Sequence, residues 1–196
     1  MTSSLNQPAL KQLFLEARTR NAWLDREVSN ETVRAIYDLA KWGPTTANSN
    51  PARFVFLRSA QARERLRPHL SPGNVAKTMG APCCVIIAAD TRFYELFGQL
   101  FPSRDMRASF EGNEALITET MQRSSTLQGA YLMIAARALG LDCGPMSGFN
   151  AESLNAAFFP DGRWKANFLC NIGYGSDVDL FDRNPRLAFD EACLDL

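Results

Sequence analysis

The feature that most constrains the fold is a long helical pattern between residues 114 and 139. It runs from about Glu114 to Leu139 and is followed by Gly140, which suits the left-handed position that ends a helix. Small residues recur along it, and they let a helix pack closely in a core or against a second subunit. These residues are Ser124, Ser125, Gly129, Ala130, Ala135 and Ala136.

Short apolar runs predict the strands. Cys83–Ala89 is apolar and rich in β-formers, which is typical of a buried strand. Arg53–Arg58 and Asn167–Ile172 are weaker strand candidates. Helical patterns cover residues 7–18, 30–43, 60–67 and 151–158, with Ser29 as a predicted N-cap and Ser71–Asn74 as a turn. The predicted fold class is therefore α+β, with helices around a small mixed β-sheet.

The overall charge excludes broad classes of partner. The chain has 21 basic and 21 acidic residues, so a nucleic-acid or membrane-surface role is not expected. Five cysteines without a C-x-x-C pair disfavour a disulfide framework and a zinc site, and no metal is expected. The first residues lack a signal-peptide pattern, which favours a cytoplasmic protein. A length of 196 residues fits one domain, residues 1–196.

Several catalytic motifs are absent from the sequence. It has no G-x-G-x-x-G after a strand, no Walker A motif and no G-x-S-x-G. A serine or cysteine hydrolase mechanism would have to use His69, the sole histidine, which follows Pro68. A surface histidine beside a proline is the favoured interpretation.

Two arginine clusters are candidate anion sites. Arg18-Thr19-Arg20-Asn21 lies near the N-terminus, and Arg183 and Arg186 lie in the C-terminal tail. A guanidinium suits phosphate because its planar fork donates hydrogen bonds in pairs. Arg18 and Arg20 are two residues apart, so both can face one anion only if the first helix ends there. Taken alone, the N-terminal cluster is better explained as solvated surface charge, and a basic tail is the alternative for Arg183 and Arg186.

Two further polar segments are candidate ligand loops. Pro44–Pro51 offers hydroxyls and amides between two prolines, and Gly144–Phe149 combines glycines with a proline. Glycine allows close approach of backbone to a flat ligand. A plain connector and a turn after the long helix are the alternatives.

Taken in order, these segments resemble the nitroreductase-like flavoprotein family over about residues 10–193. The resemblance extends to its HadB/RutE branch, the malonic semialdehyde reductases of pyrimidine (uracil) degradation. The branch resemblance lies in several segments, among them Lys41–Thr45, Ala138–Phe149, Asn171–Gly175 and Pro185–Leu187. No single motif is specific to the family, whereas the ordered set is.

The resemblance implies an intertwined homodimer with FMN bound at the subunit interface. It assigns the phosphate and ribityl chain to Arg18, Thr19, Arg20, Asn21, Arg183 and Arg186. It assigns the flavin ring and sugar chain to Asn74, Gln128, Ser147 and Gly148. It assigns Thr45, Thr46, Asn48 and Asn50 to contacts from the partner subunit. Asn21 and Asn50 depart from the common pattern, which has a basic residue and a glutamine at these positions.

The implied activity is an FMN-dependent reductase that uses NADPH or NADH. Its substrate would be malonic semialdehyde, reduced to 3-hydroxypropionate. The flavin carries the hydride, so no catalytic side chain is named. A general nitroreductase or quinone reductase, and a flavin-binding protein without turnover, remain as alternatives. The aromatic segment from Asp90 to Asn113 is either a substrate lid or ordinary core.

Overall fold

The computed structural model describes residues 3–196. Its α-helices are α1 Gln7–Leu10, α2 Asn30–Ala40, α3 Ala60–Leu66, α4 Pro72–Met79, α5 Phe97–Leu100, α6 Arg107–Phe110, α7 Glu114–Ala138, α8 Ala151–Phe158 and α9 Phe189–Ala192. A π-helical turn, Lys11–Leu15, extends α1, and 3-10 turns cover Thr46–Asn48, Arg67–His69 and Phe93–Leu96. The strands are β1 Ala52–Leu57, β2 Cys83–Asp90, β3 Asp142–Met146 and β4 Trp164–Gly173.

The four strands form one sheet in the order β1-β2-β4-β3. Each neighbouring pair is antiparallel, so the expectation of a mixed sheet is wrong for these strands. An isolated parallel bridge joins Thr19 to Cys143 on β3. The α+β class itself is confirmed.

Helix α7 packs on one face of the sheet. Leu132 and Ala136 are fully buried against side chains of β2 and β4 such as Val85 and Ile172. A Cβ atom on Gly129 would overlap the ring of Phe168, so the glycine allows close contact between α7 and β4. The small residues predicted to let α7 pack closely therefore serve the core of this chain.

Helices α3, α4 and α8 cover the opposite face. Leu66 and Leu154 pack there against Ile86 and Leu169, and all four are fully buried. Because side chains alternate along a strand, β2 is covered on both faces and all eight of its residues are buried. This confirms the prediction of a buried strand at Cys83–Ala89.

Local signals placed several helix ends correctly. The Ser29 hydroxyl accepts a hydrogen bond from the Thr32 backbone N–H at 3.1 Å, as expected of an N-cap. Gly140 follows α7 with a φ of 79°, the left-handed geometry predicted for it. Helix α8 has the predicted bounds.

Two predictions were wrong. Ser71–Asn74 is not an isolated turn but the start of α4, because Pro72 occupies the first helical position, which its fixed φ favours. Residues 142–146 form a strand, whereas the sequence predicted either a ligand loop or a turn at Gly144–Phe149. Pro145 is tolerated there because β3 is at the edge of the sheet.

Candidate functional site

The segment Arg18–Asn21 lies along the free edge of β3. The first helical segment ends at Leu15, which meets the condition set by the spacing of Arg18 and Arg20. The Arg20 backbone N–H donates to the Cys143 carbonyl at 3.1 Å. A Cβ atom on Gly144 would lie 2.7 Å from the Arg20 carbonyl oxygen, so glycine is needed for the segment to approach this closely.

This segment and the C-terminal tail enclose a cavity of about 470 Å³. We call it the arginine cavity, because four arginines line it. They are Arg18, Arg137, Arg183 and Arg186. Thr19, Asn21 and Asp182 also line it, so the charged lining side chains sum to four minus one, or +3. The structure thus brings together five of the six residues assigned to the phosphate end.

The four guanidinium groups donate only to backbone carbonyls. Arg18 donates to Phe181, Arg183 to Leu15 and Ala17, Arg186 to Asn184 and Pro185, and Arg137 to Leu13 at 3.4 Å. Within residues 3–196, none of the four lies within 4.0 Å of a carboxylate. Their charges are therefore available to an anion.

Arg137 is a cavity residue that the sequence did not reveal. It lies in the last turn of α7, where a cation is ordinarily explained by the helix dipole. Its Nε atom is buried and has no hydrogen-bond partner among the described residues. A buried donor without a partner is costly unless a ligand or water accepts from it. Only the packing of α7 beside the tail shows that Arg137 faces the cavity.

Arg20 is directed away from the arginine cavity. Its guanidinium pairs with Asp177 and, at 3.5 Å, with Asp142. Burial acts to lower the pKa of Arg20, but the hydrogen bond to Asp177 and the charge of Asp142 outweigh it and raise that pKa. Arg20 therefore fastens its segment to β3 and the tail, and its charge is already balanced.

A second group of predicted residues lies at the other end of β3. The Asn74 side-chain amide donates to the Gly148 carbonyl at 2.8 Å, and the Ser71 N–H donates to the same oxygen at 3.0 Å. A Cβ atom on Gly148 would lie 2.5 Å from Asn74 Nδ2. Ser147 is exposed beside them. From Cys143 to Ser147, four residues of strand span about 13 Å.

The loop at Thr45–Asn50 forms a third group with Gln128 of α7. The Gln128 amide accepts from the Ala52 N–H at 2.8 Å and donates to Asn50 Oδ1 at 3.1 Å. The Thr45 hydroxyl accepts from the Asn50 N–H at 3.2 Å, and the Thr46 N–H donates to Ser124 at 3.3 Å. Hydrogen bonds to α7 therefore hold this loop in addition to its prolines.

Within one chain the third group is distant from the arginine cavity. Gln128 and Arg137 are nine residues apart on α7, or about 13 Å along its axis. Ala47, Asn48 and Asn50 adopt left-handed φ angles of 48°, 52° and 43°, which direct the loop away from regular structure. The fourteen predicted residues thus fall into three groups, with Arg20 separate.

The aromatic segment between β2 and α7 is mainly core. Phe93, Phe97 and Phe110 are at most 2% exposed and pack edge-to-face or tilted against one another. Tyr94 and Phe101 instead line a shallow cavity with Arg104 and Arg107. The Asn48 side chain donates to the Leu100 carbonyl at 2.7 Å, which joins this segment to the third group.

His69 is half-buried, which corrects the expectation of a surface histidine. Its Nδ1 lies 2.9 Å from the Ser153 hydroxyl. The thiols of Cys83, Cys84, Cys143 and Cys170 are buried, and burial raises the pKa of Cys83 to about 12. The Cys83 thiol therefore stays protonated and is a poor nucleophile.

The described residues contain neither a metal-binding cluster nor a membrane-spanning helix. Residues 3–196 contain no group of three or more histidine, cysteine, aspartate or glutamate side chains that could hold a metal ion. No helix in the same range is both long and apolar enough to cross a bilayer.

The structure is thus an α+β fold in which four arginines line one cavity. The profile of the family described as "Nitroreductase family" matches residues 18–174. The chain belongs to this family.

Three similar proteins have names that carry the qualifier "putative". The NADH dehydrogenase/NAD(P)H nitroreductase of Rhodopseudomonas palustris (strain TIE-1) is 63% identical over 98% of both chains. A nitroreductase in complex with FMN from Exiguobacterium sibiricum has a TM-score of 0.83 at 20% identity, over 98% of both chains. An NAD(P)H:FMN oxidoreductase from Staphylococcus epidermidis has a TM-score of 0.85 at 19% identity, over 100% of this chain and 98% of the other.

Proposed function

We propose that this chain is an FMN-dependent NAD(P)H oxidoreductase whose arginine cavity binds the FMN phosphate. The observation that carries the proposal is the +3 charge of the cavity, which no carboxylate of residues 3–196 balances by direct pairing with an arginine. A phosphate would accept hydrogen bonds from Arg18, Arg183 and Arg186 and balance their charge. Arg137 Nε would gain the acceptor that it lacks within the chain.

The spacing of the first two groups supports FMN rather than a bare phosphate. FMN has a phosphate at one end and a flat ring at the other, joined by a flexible chain. The arginine cavity and the Ser147–Gly148 group lie at opposite ends of β3, about 13 Å apart. Thr19 and Asn21 are proposed to contact the phosphate and chain, and Asn74, Ser147 and Gly148 the ring. Arg20 is proposed to position the segment rather than to touch the phosphate.

We propose a homodimer in which the third group completes the site of the partner subunit. The resemblance assigns Thr45, Thr46, Asn48 and Asn50 to the partner's site, and Gln128 is hydrogen-bonded to this loop. Large apolar side chains are also exposed on α2, α7 and the tail, as expected of surfaces that a second copy covers. Examples are Leu39 of α2 at 47%, Leu127 of α7 at 42% and Phe181 of the tail at 75% exposure. A single domain and a cytoplasmic location are part of the same proposal.

Bound FMN would supply hydride transfer between a nicotinamide donor and the substrate. The residues of this chain bind the phosphate, orient the ring against the β3–α8 connection and shield it from water. No side chain of the described residues is assigned a proton-transfer role.

The proposed substrate is malonic semialdehyde, reduced to 3-hydroxypropionate as a step of pyrimidine degradation. It rests on the resemblance of residues 138–149 and 171–175 to that branch. The rival is a nitroaromatic or quinone substrate, which the name of the Rhodopseudomonas relative favours. A flavin-binding protein without turnover is the third possibility.

Steady-state NADPH and NADH oxidation by the FMN-loaded protein would separate these three. Turnover of malonic semialdehyde with a higher kcat/KM than a nitroaromatic and quinone panel supports the first. Panel turnover without semialdehyde turnover supports the rival. A yellow protein that oxidises neither nicotinamide with any acceptor is a flavin-binding protein only, and a protein that takes up no FMN contradicts the whole proposal.

A further inference from the structure

A second cavity lies on the opposite face of the sheet from α7. Its volume is about 590 Å³, within the range of small-molecule sites. Val55 and Leu57 of β1 form its floor, and both belong to the core packed under α3 and α8. Since α7 carries Arg137 on the other face, this cavity is separate from the arginine cavity.

The walls of the second cavity are aromatic. Phe158, Phe159 and Trp164 line it, and the rings of Phe159 and Trp164 are 5.7 Å apart. Ala62 of α3 leaves room opposite them. Flat rings around an open apolar space favour a ligand with an aromatic or branched apolar group.

Two opposite charges flank this apolar space without neutralising each other. Arg65 stacks over the Phe158 ring at 4.4 Å and donates to the Ala157 carbonyl. Asp161 accepts from the Arg163 N–H at 3.1 Å. Within residues 3–196, neither side chain has an ion-pair partner within 4.0 Å, so each charge can still meet a ligand.

Both charges lie near the C-terminal end of α8. Arg65 donates to the Ala157 carbonyl in the last turn of this helix, and Asp161 follows shortly after the helix ends at Phe158. The Arg65 guanidinium has five N–H donors in a fork that suits a carboxylate. A ligand that carries a carboxylate and an ammonium on one carbon atom therefore suits this end of the cavity.

We infer that the second cavity binds a free amino acid with an apolar side chain. Its carboxylate would meet Arg65, its ammonium would meet Asp161, and its side chain would lie against Phe159 and Trp164. This inference does not depend on FMN or on the proposed reaction, because it uses no residue of the three groups described above.

Calorimetric titration of the purified full-length protein would test the inference with three matched probes. L-Phenylalanine carries both charges, phenylpropionate only the carboxylate, and phenethylamine only the ammonium. We expect L-phenylalanine to bind at least about 10-fold more tightly than either, since one charged hydrogen bond is lost in each case. Equal binding of phenylpropionate would contradict the role of Asp161, and equal binding of phenethylamine that of Arg65. If a second copy of the chain covers the cavity, no probe will bind and the inference fails.

Matched variants would test whether the ligand binds in this cavity. Arg65→Gln and Asp161→Asn should each weaken L-phenylalanine binding about 10-fold. Arg67→Gln, a neighbouring arginine that pairs with Glu64 and does not line the cavity, should not. L-Phenylalanine should change the tryptophan emission of the wild type but not of Trp164→Phe. Saturating FMN should leave the affinity unchanged, and competition by FMN would contradict a separate site.

Discussion

The arginine cavity and the cluster around Asp90 both contain several arginines, but among the described residues only those of the second are paired with a carboxylate. Asp90 is 2% exposed and accepts from Arg53 at 2.8 Å and Arg163 at 3.1 Å. The hydrogen bond and charge of Asp90 raise the pKa of Arg163. In the arginine cavity, the corresponding acceptors are only backbone carbonyls.

The arginines around Asp90 stabilise the fold, whereas those of the arginine cavity are the ones we propose for a ligand. A buried carboxylate is tolerated when it is paired and hydrogen-bonded, and its partners then have no charge left to offer. Four arginines around one cavity repel each other, which lowers the free energy of unfolding. A bound anion should raise it again. Substitutions in the two regions should therefore affect different measurements.

The largest effect is expected for Asp90→Ala. It leaves Arg53 without its carboxylate and Arg163 with Glu95 alone, and breaking a buried pair in this way costs about 3 kcal/mol. Urea unfolding should show this loss in the free energy of unfolding. An unchanged unfolding midpoint would mean that solvent compensates both arginines.

Arg18→Ala should weaken FMN binding roughly 10- to 100-fold, because it removes charged hydrogen bonds to the phosphate. FMN fluorescence quenching would measure the affinity. Arg163→Ala is the counterpart: it should reduce stability through Asp90 and leave the affinity for FMN unchanged. If both variants lose FMN equally, the distinction between the two regions is wrong.

Arg137→Gln should weaken FMN binding by a smaller factor, about 5- to 10-fold, because Arg137 also donates to Leu13. Raising the salt concentration should weaken FMN binding more in the wild type than in Arg137→Gln, because the variant has one fewer positive charge for the salt to screen. Arg123→Gln, on the exposed surface of the same helix, is the matched control. Loss of affinity in Arg123→Gln would indicate a general charge effect.

The smallest effect is expected for the stability of Arg186→Gln, measured on the protein without FMN. Removing one of four like charges should raise the stability of the FMN-free protein by a few tenths of a kcal/mol. Thermal unfolding with and without FMN would check it: the variant should gain less from added FMN than the wild type. A lower melting temperature in the absence of FMN would show that Arg186 is itself structural.

Much of the fold followed from local chemistry. Helix α2 begins after the Ser29 cap, α7 ends before Gly140, and β2 is a short apolar run. Each of these signals acts within a few residues and is therefore readable along the chain. The direction of strand pairing is not, and the expected mixed sheet was wrong for that reason.

The candidate site was only partly predictable. Arg18, Arg183 and Arg186 were selected by residue type and resemblance, and they do line one cavity. Arg20 matches the same pattern but pairs with Asp142 and Asp177, which are 122 and 157 residues away along the chain. Arg137 carries no sequence signal, since an arginine at the end of a helix is ordinary.

The sequence by itself determined the α+β class, the long helix, the buried strand and the candidate arginines, because capping, periodicity and residue type act locally. Only the tertiary structure decided which arginines are paired with a carboxylate and which are not. That outcome depends on whether a distant carboxylate packs within hydrogen-bond reach, as Asp90 does for Arg53 and none does for Arg18 within residues 3–196. The proposed phosphate site therefore depends on its arginines and also on the lack of a carboxylate paired with them among the described residues.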